Sequence, residues 1–526
     1  MHTHCVIGSG PAGVATATAL LARGAQVLML DAGMELEADR AQIVRDLSQK
    51  KPAEWPAAEA DCIHGDSKSD LKGLPHKKLF GSDFLYRESA EKIPWRGNDD
   101  ALRPSLAIGG LSNVWGATML PLRQEDISDW PIKRSELDEH YGAIAQITEL
   151  AARRDDLEEI LPIHATNPVA LKPSRQAAQV LGNLERHRDA LRTRGWHFGQ
   201  SRVAMRTADS SRGIGCVYCG HCMTGCVYGC IYNSSYTIRE LKQRENFRYE
   251  RDVIVTRLRE NSGGVSIEAF HRVTGQPLSF EARRVYLGAG VIPTAQIVLR
   301  SQDAYDQPLM LRDSQYFLFP ILLMRRVRDV DKEALQTLSQ VFLELNNPQI
   351  ARRCIHLQIY THSDLIAGAV RRSLGPLKMF SRQLQERLLV VQGYLHSDES
   401  ASIAMTLKRD GQKDFLQLEP RLNPETAPAI KRLLSELLKQ HRALGGFVLP
   451  PMLQIAHPGR GFHCGASMPM RAQPGKFESD CLGRPSGWSR IHVVDASVLP
   501  TIPATTITFS VMANAHRIAS QTLEID

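Results

Sequence analysis

The chain has 526 residues, of which 43% are hydrophobic and 23% are charged. This length and balance predict a globular protein of about two to four structural units and exclude a disordered or fibrous one. The net charge of +7 is mild for the length. Because the basic residues are also scattered, neither nucleic acid nor a membrane surface is favoured as a partner.

The longest apolar run, Tyr316–Met324, has nine residues and contains Pro320. It is too short to span a bilayer, so we expect no transmembrane segment. No signal peptide pattern precedes the first predicted strand. We therefore expect a cytoplasmic protein whose ten cysteines are thiols or metal ligands instead of disulfides.

The amino terminus carries a glycine fingerprint within a predicted β-α-β unit over residues 3–33. Gly8 permits a tight turn, Gly10 lets the backbone approach a pyrophosphate, and Gly13 lets the helix pack on the strand. Free N–H groups and the helix dipole at the start of this helix favour an anion. Asp31 ends the second strand and can accept the hydroxyls of a ribose. The unit predicts a dinucleotide site.

Two further segments precede the middle of the chain. Residues 34–78 are polar and rich in loop-forming residues, so we expect an irregular excursion there. Residues 108–116 are glycine-rich and partly apolar, which suits a backbone pressed against a ligand. An ordinary loop is the alternative for this second segment.

Five cysteines lie close together, from Cys216 to Cys230. Cys216, Cys219, Cys222 and Cys226 have the C-x2-C-x2-C-x3-C spacing that binds iron–sulfur clusters in bacterial ferredoxins. Thiolates that short loops return to one point suit an iron–sulfur cluster or zinc. A structural loop without metal is the alternative that the spacing leaves open.

Strand and helix patterns alternate through the second half of the chain. Strands are expected at residues 253–255, 265–270, 285–287, 354–360 and 401–407, and helices at 294–299 and 424–444. Helical spacing also relates Leu377, Phe380, Leu384 and Leu388. A helix packed on its own sheet is favoured there over a membrane-surface helix. The sequence Gly288-x-Gly290-x-x-Pro293 lacks the third glycine of a fingerprint, so no separate nicotinamide domain is expected.

The carboxyl-terminal part contains the motifs Gly461–Met470, Ile491–Pro500 and Thr505–Thr508, followed by a predicted helix at 511–518. Together with the fingerprint, Gly109–Gly110 and Leu287–Leu299, these motifs resemble the glucose–methanol–choline (GMC) oxidoreductases. The resemblance implies an α/β fold (α+β overall) with a Rossmann-like, discontinuous FAD-binding domain and a substrate domain built on an antiparallel sheet. The FAD-binding domain would comprise residues 1–150, 200–300 and 455–526, and the substrate domain residues 151–199 and 301–454.

The resemblance also implies oxidation of a CH–OH group by hydride transfer to flavin N5, with His463 removing the hydroxyl proton. An imidazole, whose unperturbed pKa is about 6.5, suits that transfer. Thr506 occupies the place of the family's usual second histidine or asparagine; it can orient the substrate oxygen but cannot act as a base. Val114 occupies the place of the histidine that binds FAD covalently in one subgroup, so non-covalent FAD is expected.

The residues that the fingerprint and the resemblance assign to FAD binding are Gly8, Gly10, Pro11, Ala12, Gly13, Asp31, Gly109, Gly110, Ser112, Asn113, Trp115, Gly116, Val253, Ala289, Gly290, Asp495 and Ala496. The cysteine segment is similar to that of FAD-dependent sugar and polyol dehydrogenases of the family, in which an iron–sulfur cluster takes electrons from the flavin. We therefore predict a dehydrogenase of a sugar, a polyol or a related hydroxylated metabolite that passes electrons to a protein or a quinone. A lyase or epimerase that uses FAD without net electron turnover, and a non-catalytic FAD and cluster module, are the alternatives.

Overall fold

The computed structural model describes residues 2–64, 77–98, 101–374, 379, 381–411 and 413–522. Within these ranges the strands form three larger sheets and one two-stranded sheet. No helix in the same ranges is both long enough and apolar enough to cross a membrane.

The first sheet has a parallel centre. Its parallel strands are, in spatial order, Phe247–Glu250, Val27–Leu30, His2–Ile7, Pro277–Leu287 and Ile491–Val493. The antiparallel strands Val265–His271 and Val253–Glu260 extend it. Because parallel strands end at the same edge of a sheet, the turns that follow Ile7, Leu30 and Leu287 meet there. This edge positions the site described below.

The helices Pro11–Ala22 and Thr508–Thr522 pack together on the first sheet. The helix Val291–Ser301 starts directly after the turn at Gly288–Gly290 and packs on the strand Val253–Glu260. The other helices of eight or more residues within the described ranges are Ala38–Ser48, Ala57–His64, Asp138–Thr148, Arg175–Arg186, Ser234–Leu241, Asp364–Leu374 and Thr426–Lys439.

The second sheet is mainly antiparallel and small. Its strands are Cys464–Gly465, Pro308–Asp313, Ser402–Asp410, Lys413–Arg421 and Trp95–Arg96. Its buried side chains, such as Leu311 and Ile403, form one core with Ile292 and Leu299 of the helix Val291–Ser301. The second sheet therefore joins the segment around residue 464 to the first sheet.

The third sheet is antiparallel and has two chemically different faces. Its main strands are Gly446–Val448, Tyr316–Leu323, Leu388–Tyr394, Ile355–Tyr360, Val341–Leu345 and Trp196–Gln200, and Gln454–Ile455 pairs at one end. On one face, Phe317, Phe319 and Leu357 pack against the helices Arg175–Arg186 and Thr426–Lys439. Side chains alternate along a strand, so Tyr316, His356 and Tyr394 lie on the opposite face.

The structure confirms most of the expected elements. The helix predicted at 424–444 consists of Thr426–Lys439 and His441–Leu444, and Gly445 ends it in the left-handed conformation with φ 68°. The division of the chain into two domains at the predicted boundaries remains a prediction.

Two sequence interpretations are wrong. The segment from residue 34 contains the helices Ala38–Ser48 and Ala57–His64, because Leu47 and Ile63 bury their side chains in the core beneath the second sheet. Leu384 lies in the short helix Ser381–Gln385, but Leu388 begins a strand that pairs on both sides. Leu377 and Phe380 of the same pattern lie outside the described residues. In both places tertiary packing decides between local alternatives.

Gly393 provides a test of the third sheet. A Cβ atom at this strand position would overlap the ring of Phe317, which lies across it. We expect Gly393→Ala to reduce the free energy of unfolding by about 1–3 kcal/mol, because the ring has no free space to move into. Urea titrations followed by circular dichroism measure the change.

Gly182 is the matched control. It lies exposed in the helix Arg175–Arg186, where a Cβ atom would meet nothing within 4 Å. Gly182→Ala is expected to raise stability by about 0.5–1 kcal/mol through helix propensity. If Gly393→Ala is as stable as the parent, the packing described for this strand is wrong.

Candidate functional site

Three glycines shape the turn at the carboxyl edge of the first sheet. A Cβ atom at Gly13 would overlap the carbonyl oxygen of Gly8, and one at Gly8 would lie 2.6 Å from the carbonyl oxygen of Gly288. Gly8 also has φ 95°, a conformation that favours glycine. The helix, the first turn and the turn after the fourth parallel strand are therefore in backbone contact.

Gly10 is different, because a Cβ atom there would meet no atom within 4 Å. Its φ of −65° is open to any residue. Gly10 precedes the first residue of the helix, so the free N–H groups of the first turn face the same space. An open space at a helix N-terminus fits a pyrophosphate. Pro11 and Ala12 form the beginning of this helix, as expected.

The glycine-rich segment lies beside this turn. Gly109 N–H donates to Ser9 Oγ at 2.9 Å, and a Cβ atom at Gly110 would lie 3.4 Å from the Cα of Gly10. Ser112 Oγ donates to the carbonyl of Gly109, and Trp115 Nε1 donates to the carbonyl of Tyr232. The polar side chains of this segment thus hold its own shape, and Gly116 is exposed.

Asn113 has the same internal role. Its Nδ2 donates to the carbonyl oxygens of Ile108 and Gly110 at 3.0 and 2.7 Å. Its Oδ1 accepts from Asn233 Nδ2 at 2.5 Å. A direct contact of Asn113, Ser112 or Trp115 with a cofactor remains a prediction.

Asp31 is buried and surrounded by protein donors. Its carboxylate accepts from Ser9 N and Oγ at 3.1 and 2.7 Å, from Gly33 N at 3.1 Å and from Tyr249 Oη at 2.8 Å. Burial raises the pKa of Asp31, and these hydrogen bonds oppose the rise. Tyr249 is a residue that the sequence did not indicate. Recognition of a ribose by Asp31 remains a prediction.

A cavity of about 120 Å³ adjoins Asp31. It brings together four residues that the sequence assigned to the cofactor, Gly8, Asp31, Val253 and Ala289. Leu106, Phe270 and Pro293 supply apolar walls. Polar and charged side chains, among them Lys92 and Arg300, line the rest of this partly open cavity. A space of mixed polarity next to a carboxylate and a phosphate-type turn fits the adenosine half of a dinucleotide.

Asp495 links the carboxyl-terminal motif to the same edge. Its Oδ2 accepts from Gly290 N at 2.9 Å and from Thr294 Oγ1 at 2.6 Å. These bonds hold the start of the helix Val291–Ser301. The adjacent carbonyl of Ala496 accepts from Ala466 N at 2.9 Å, and a Cβ atom at Gly465 would overlap this carbonyl. The segment that carries His463 is therefore fixed directly to the turns described above.

His463 is partly exposed, and the ring of Tyr394 lies beside it with the centroids 4.6 Å apart. Although the residue is partly exposed, the protein around its ring excludes enough water to lower the pKa of His463 to about 3. Its Nδ1 is buried without a hydrogen-bond partner. At neutral pH the side chain is thus a neutral imidazole, able to accept a proton.

Thr506 is buried and donates its hydroxyl proton to the carbonyl of Thr118 at 3.1 Å. With this proton engaged, the hydroxyl offers only lone pairs to another group. The predicted role of Thr506 in orienting a substrate oxygen is therefore restricted to accepting a hydrogen bond, and that role remains a prediction.

The sulfur atoms of the cysteine segment accept hydrogen bonds from two residues within the segment and from Thr337. Cys216, Cys222 and Cys226 accept backbone N–H bonds at sulfur, at 3.4, 3.4 and 3.2 Å. Burial raises the pKa of Cys216 and of Cys219 to about 12. Across the described ranges, no group of three or more His, Cys, Asp or Glu side chains is placed to hold a metal ion. These thiols do not fit a metal centre as arranged, and their predicted role as ligands gains no support.

Sequence reasoning missed the polar face of the third sheet. Tyr316 pairs with Tyr394, which pairs with His356, which pairs with Glu344, so their side chains share one face. Leu318 and Gln392 on this face are partly exposed. The alternation of residues 354–360 could have indicated this face, because His356, Gln358 and Tyr360 occupy every second position.

No protein-family model and no curated protein sequence matches the chain. Among solved structures, it is similar to pyridoxine 4-oxidase from Mesorbium loti, with a TM-score of 0.62, 15% identity, and coverage of 100% of this chain and 99% of the other. It is also similar to a formate oxidase variant from Aspergillus oryzae RIB40 studied for its FAD modification, with a TM-score of 0.58, 15% identity and the same coverage. At this identity the likeness establishes the fold, and it confirms the predicted α/β class.

Alanine substitutions at Gly10 and Gly13 separate an effect on FAD binding from an effect on folding. We expect Gly10→Ala to leave the thermal unfolding midpoint unchanged but to weaken FAD binding at least about tenfold, because the methyl group fills the space for the pyrophosphate. Titration of apoprotein with FAD, followed by flavin fluorescence, measures the affinity.

Gly13→Ala is the contrasting variant. It overlaps the backbone of Gly8, so it is expected to lower the unfolding midpoint itself. Unchanged FAD affinity in Gly10→Ala would show that the cofactor does not use this turn.

Proposed function

We propose that the chain is a GMC-type flavoprotein that binds FAD non-covalently and oxidises a CH–OH group. The observation that carries the proposal is the direct attachment of the His463 segment to the dinucleotide-type edge, through Ala466 and Ala496. This attachment holds a neutral imidazole next to the backbone turns and the cavity that suit FAD. The two similar structures are a pyridoxine oxidase and a formate oxidase that carries FAD, which supports the same conclusion.

Several residues would hold FAD. Gly10 and the first turn of the helix Pro11–Ala22 would hold the pyrophosphate. Asp31, Val253 and Ala289, which line the adjoining cavity, would hold the adenosine. The glycine-rich segment and Asp495 set the positions of the surrounding turns. When bound, FAD supplies the acceptor for the hydride that leaves the carbinol carbon.

His463 would take the hydroxyl proton as that hydride leaves, so that the alcohol loses one proton and one hydride and becomes a carbonyl compound. Burial keeps the imidazole neutral before substrate binds, and by itself this lowered pKa makes the imidazole a weak base. The same enclosure strengthens the attraction between an imidazolium and the negative charge that develops nearby, which favours proton transfer at that moment. The Tyr394 ring restricts the orientation of the imidazole.

We infer that molecular oxygen is the electron acceptor, since both similar structures are oxidases. The sequence prediction of a dehydrogenase linked to a cluster rests on the cysteine spacing. No step of the proposed reaction passes through a cluster, because the described thiols are not placed to hold one. The predicted sugar or polyol substrate stays a proposal, alongside a ring-bearing alcohol of the kind that pyridoxine represents.

His463→Gln tests the base. Glutamine retains the size and polarity but cannot accept the proton, so we expect flavin reduction by substrate to slow about 10²–10⁴-fold. Anaerobic stopped-flow absorbance of the flavin band measures the rate. His441→Gln, at a partly exposed histidine in the helix His441–Leu444 of the third sheet's helical face, is the control and should reduce at the parental rate. If His463→Gln and the parent reduce the flavin at equal rates, His463 is not the base.

The lowered pKa of His463 predicts a specific pH profile. The imidazole is neutral above its pKa of about 3, so the limiting rate of flavin reduction should be constant from about pH 5 to 8. The rate falls only as the pH approaches that pKa and the base becomes protonated. An inflection near pH 6.5 in the parent that is absent from His463→Gln would contradict the burial of this imidazole.

Elemental analysis distinguishes the two electron acceptors. We expect protein purified without oxygen to contain FAD and no stoichiometric iron or acid-labile sulfide. Such protein, once reduced, should be reoxidised by oxygen with formation of hydrogen peroxide. Stoichiometric iron and sulfide that are lost in Cys219→Ser would instead establish the cluster-linked dehydrogenase.

A further inference from the structure

A row of hydrogen-bonded side chains crosses the polar face of the third sheet. Glu344 Oε1 lies 2.5 Å from His356 Nδ1, and His356 Nε2 lies 3.0 Å from Gln358 Nε2. Tyr360 Oη donates to Gln358 Oε1 at 3.2 Å. Glu344 and His356 have no accessible side-chain surface, and Gln358 and Tyr360 are also buried. None of these residues has a role in the reaction described above.

The row has a fixed direction. The amide nitrogen of Gln358 can only donate, so the ring nitrogen Nε2 of His356 must accept. A ring nitrogen that accepts carries no proton, so in this arrangement the ring proton is on Nδ1, where Glu344 accepts it. The amide oxygen of Gln358 consequently faces Tyr360 and receives the phenolic proton. Tyr360 Oη is left with lone pairs alone to offer to any other group.

Tyr360 ends this row beside the glycine-rich segment. Its Oη lies 3.8 Å from the position of a Cβ atom at Gly116, the exposed end of the glycine-rich segment. The rings of Tyr316 and Tyr394 lie on the same face with their centroids 5.3 Å apart, and Tyr394 contacts His463. The hydrogen-bond acceptor, the aromatic rings and the base therefore border one region.

We propose that Tyr360 is a specificity-determining residue that accepts a hydrogen bond from a second hydroxyl or N–H group of a ring-bearing alcohol. Gln358, His356 and Glu344 are positioning residues that keep the phenolic proton turned away from the cleft. The tyrosine rings favour a flat ring in the substrate, since offset aromatic contacts add to its burial. This inference rests on the proposed function, because it treats the region beside His463 as the substrate cleft.

The test uses two unreactive probes, phenol and anisole, and the FAD-loaded enzyme. Phenol can donate a hydrogen bond to Tyr360, whereas the oxygen of anisole can only accept one. We expect the parent to bind phenol about fivefold more tightly than anisole, the effect of one neutral hydrogen bond. Tyr360→Phe should bind both probes equally. Isothermal titration calorimetry gives the two dissociation constants without any turnover.

Gln358→Leu separates positioning from a merely structural role. Without the amide oxygen, the Tyr360 hydroxyl can turn its proton into the cleft and donate to anisole. Anisole binding should therefore improve relative to phenol, an outcome that general loosening of the site does not produce. Tyr305→Phe is the matched control, since it removes a phenol that bonds Asp414 beneath the second sheet. It should retain the parental preference.

Equal binding of the two probes by the parent overturns the inference, as does a preference that survives in Tyr360→Phe. If Tyr360→Phe does not fold, Gln358→Leu alone decides between the outcomes. Reduction of the flavin by an alcohol without any probe preference rejects the inference and leaves the proposed function intact. Probe preference without flavin reduction by any alcohol keeps the acceptor role of Tyr360 and rejects the proposed reaction.

Discussion

At the carboxyl edge of the first sheet, separate stretches of backbone approach so closely that no side chain fits between them. Gly13 lies against Gly8, Gly8 against Gly288, and Gly465 against the carbonyl of Ala496. Each approach removes water from polar backbone groups, and hydrogen bonds such as Gly290 N to Asp495 compensate for that loss. The open space at Gly10 exists because these contacts hold its surroundings in place.

The two faces of the third sheet have different roles: one packs in the hydrophobic core, and the other carries polar side chains. One face buries aromatic and aliphatic side chains under two helices, which supplies hydrophobic stabilisation. The other face carries a buried acid, a histidine, amides and phenols that bond one another in sequence. A satisfied polar row of this kind fixes hydrogen-bond direction, because each member determines the orientation of the next.

The environment of His463 keeps its imidazole neutral before any substrate binds. His463 has one nitrogen without a partner and an environment that lowers its pKa to about 3. Thr506 cannot replace the missing second base, since a hydroxyl oxygen is too weakly basic to take up a proton at neutral pH. In the proposed reaction a single imidazole therefore carries out the proton transfer, and the charges that form near it decide how readily that imidazole accepts the proton.

The sequence by itself determined the dinucleotide turn, the α/β class and most strands and helices, because glycine spacing and side-chain periodicity are local consequences of backbone sterics. It misjudged the segment from residue 34, where burial of Leu47 and Ile63 stabilises helices in a polar stretch. It offered cysteine spacing as a metal signal, but spacing does not determine where the thiols point. Only the tertiary structure brought Tyr394 beside His463 and placed Tyr360 on the same sheet face as Tyr394, since strand register and the pairing of distant segments decide which alternating residues share a face.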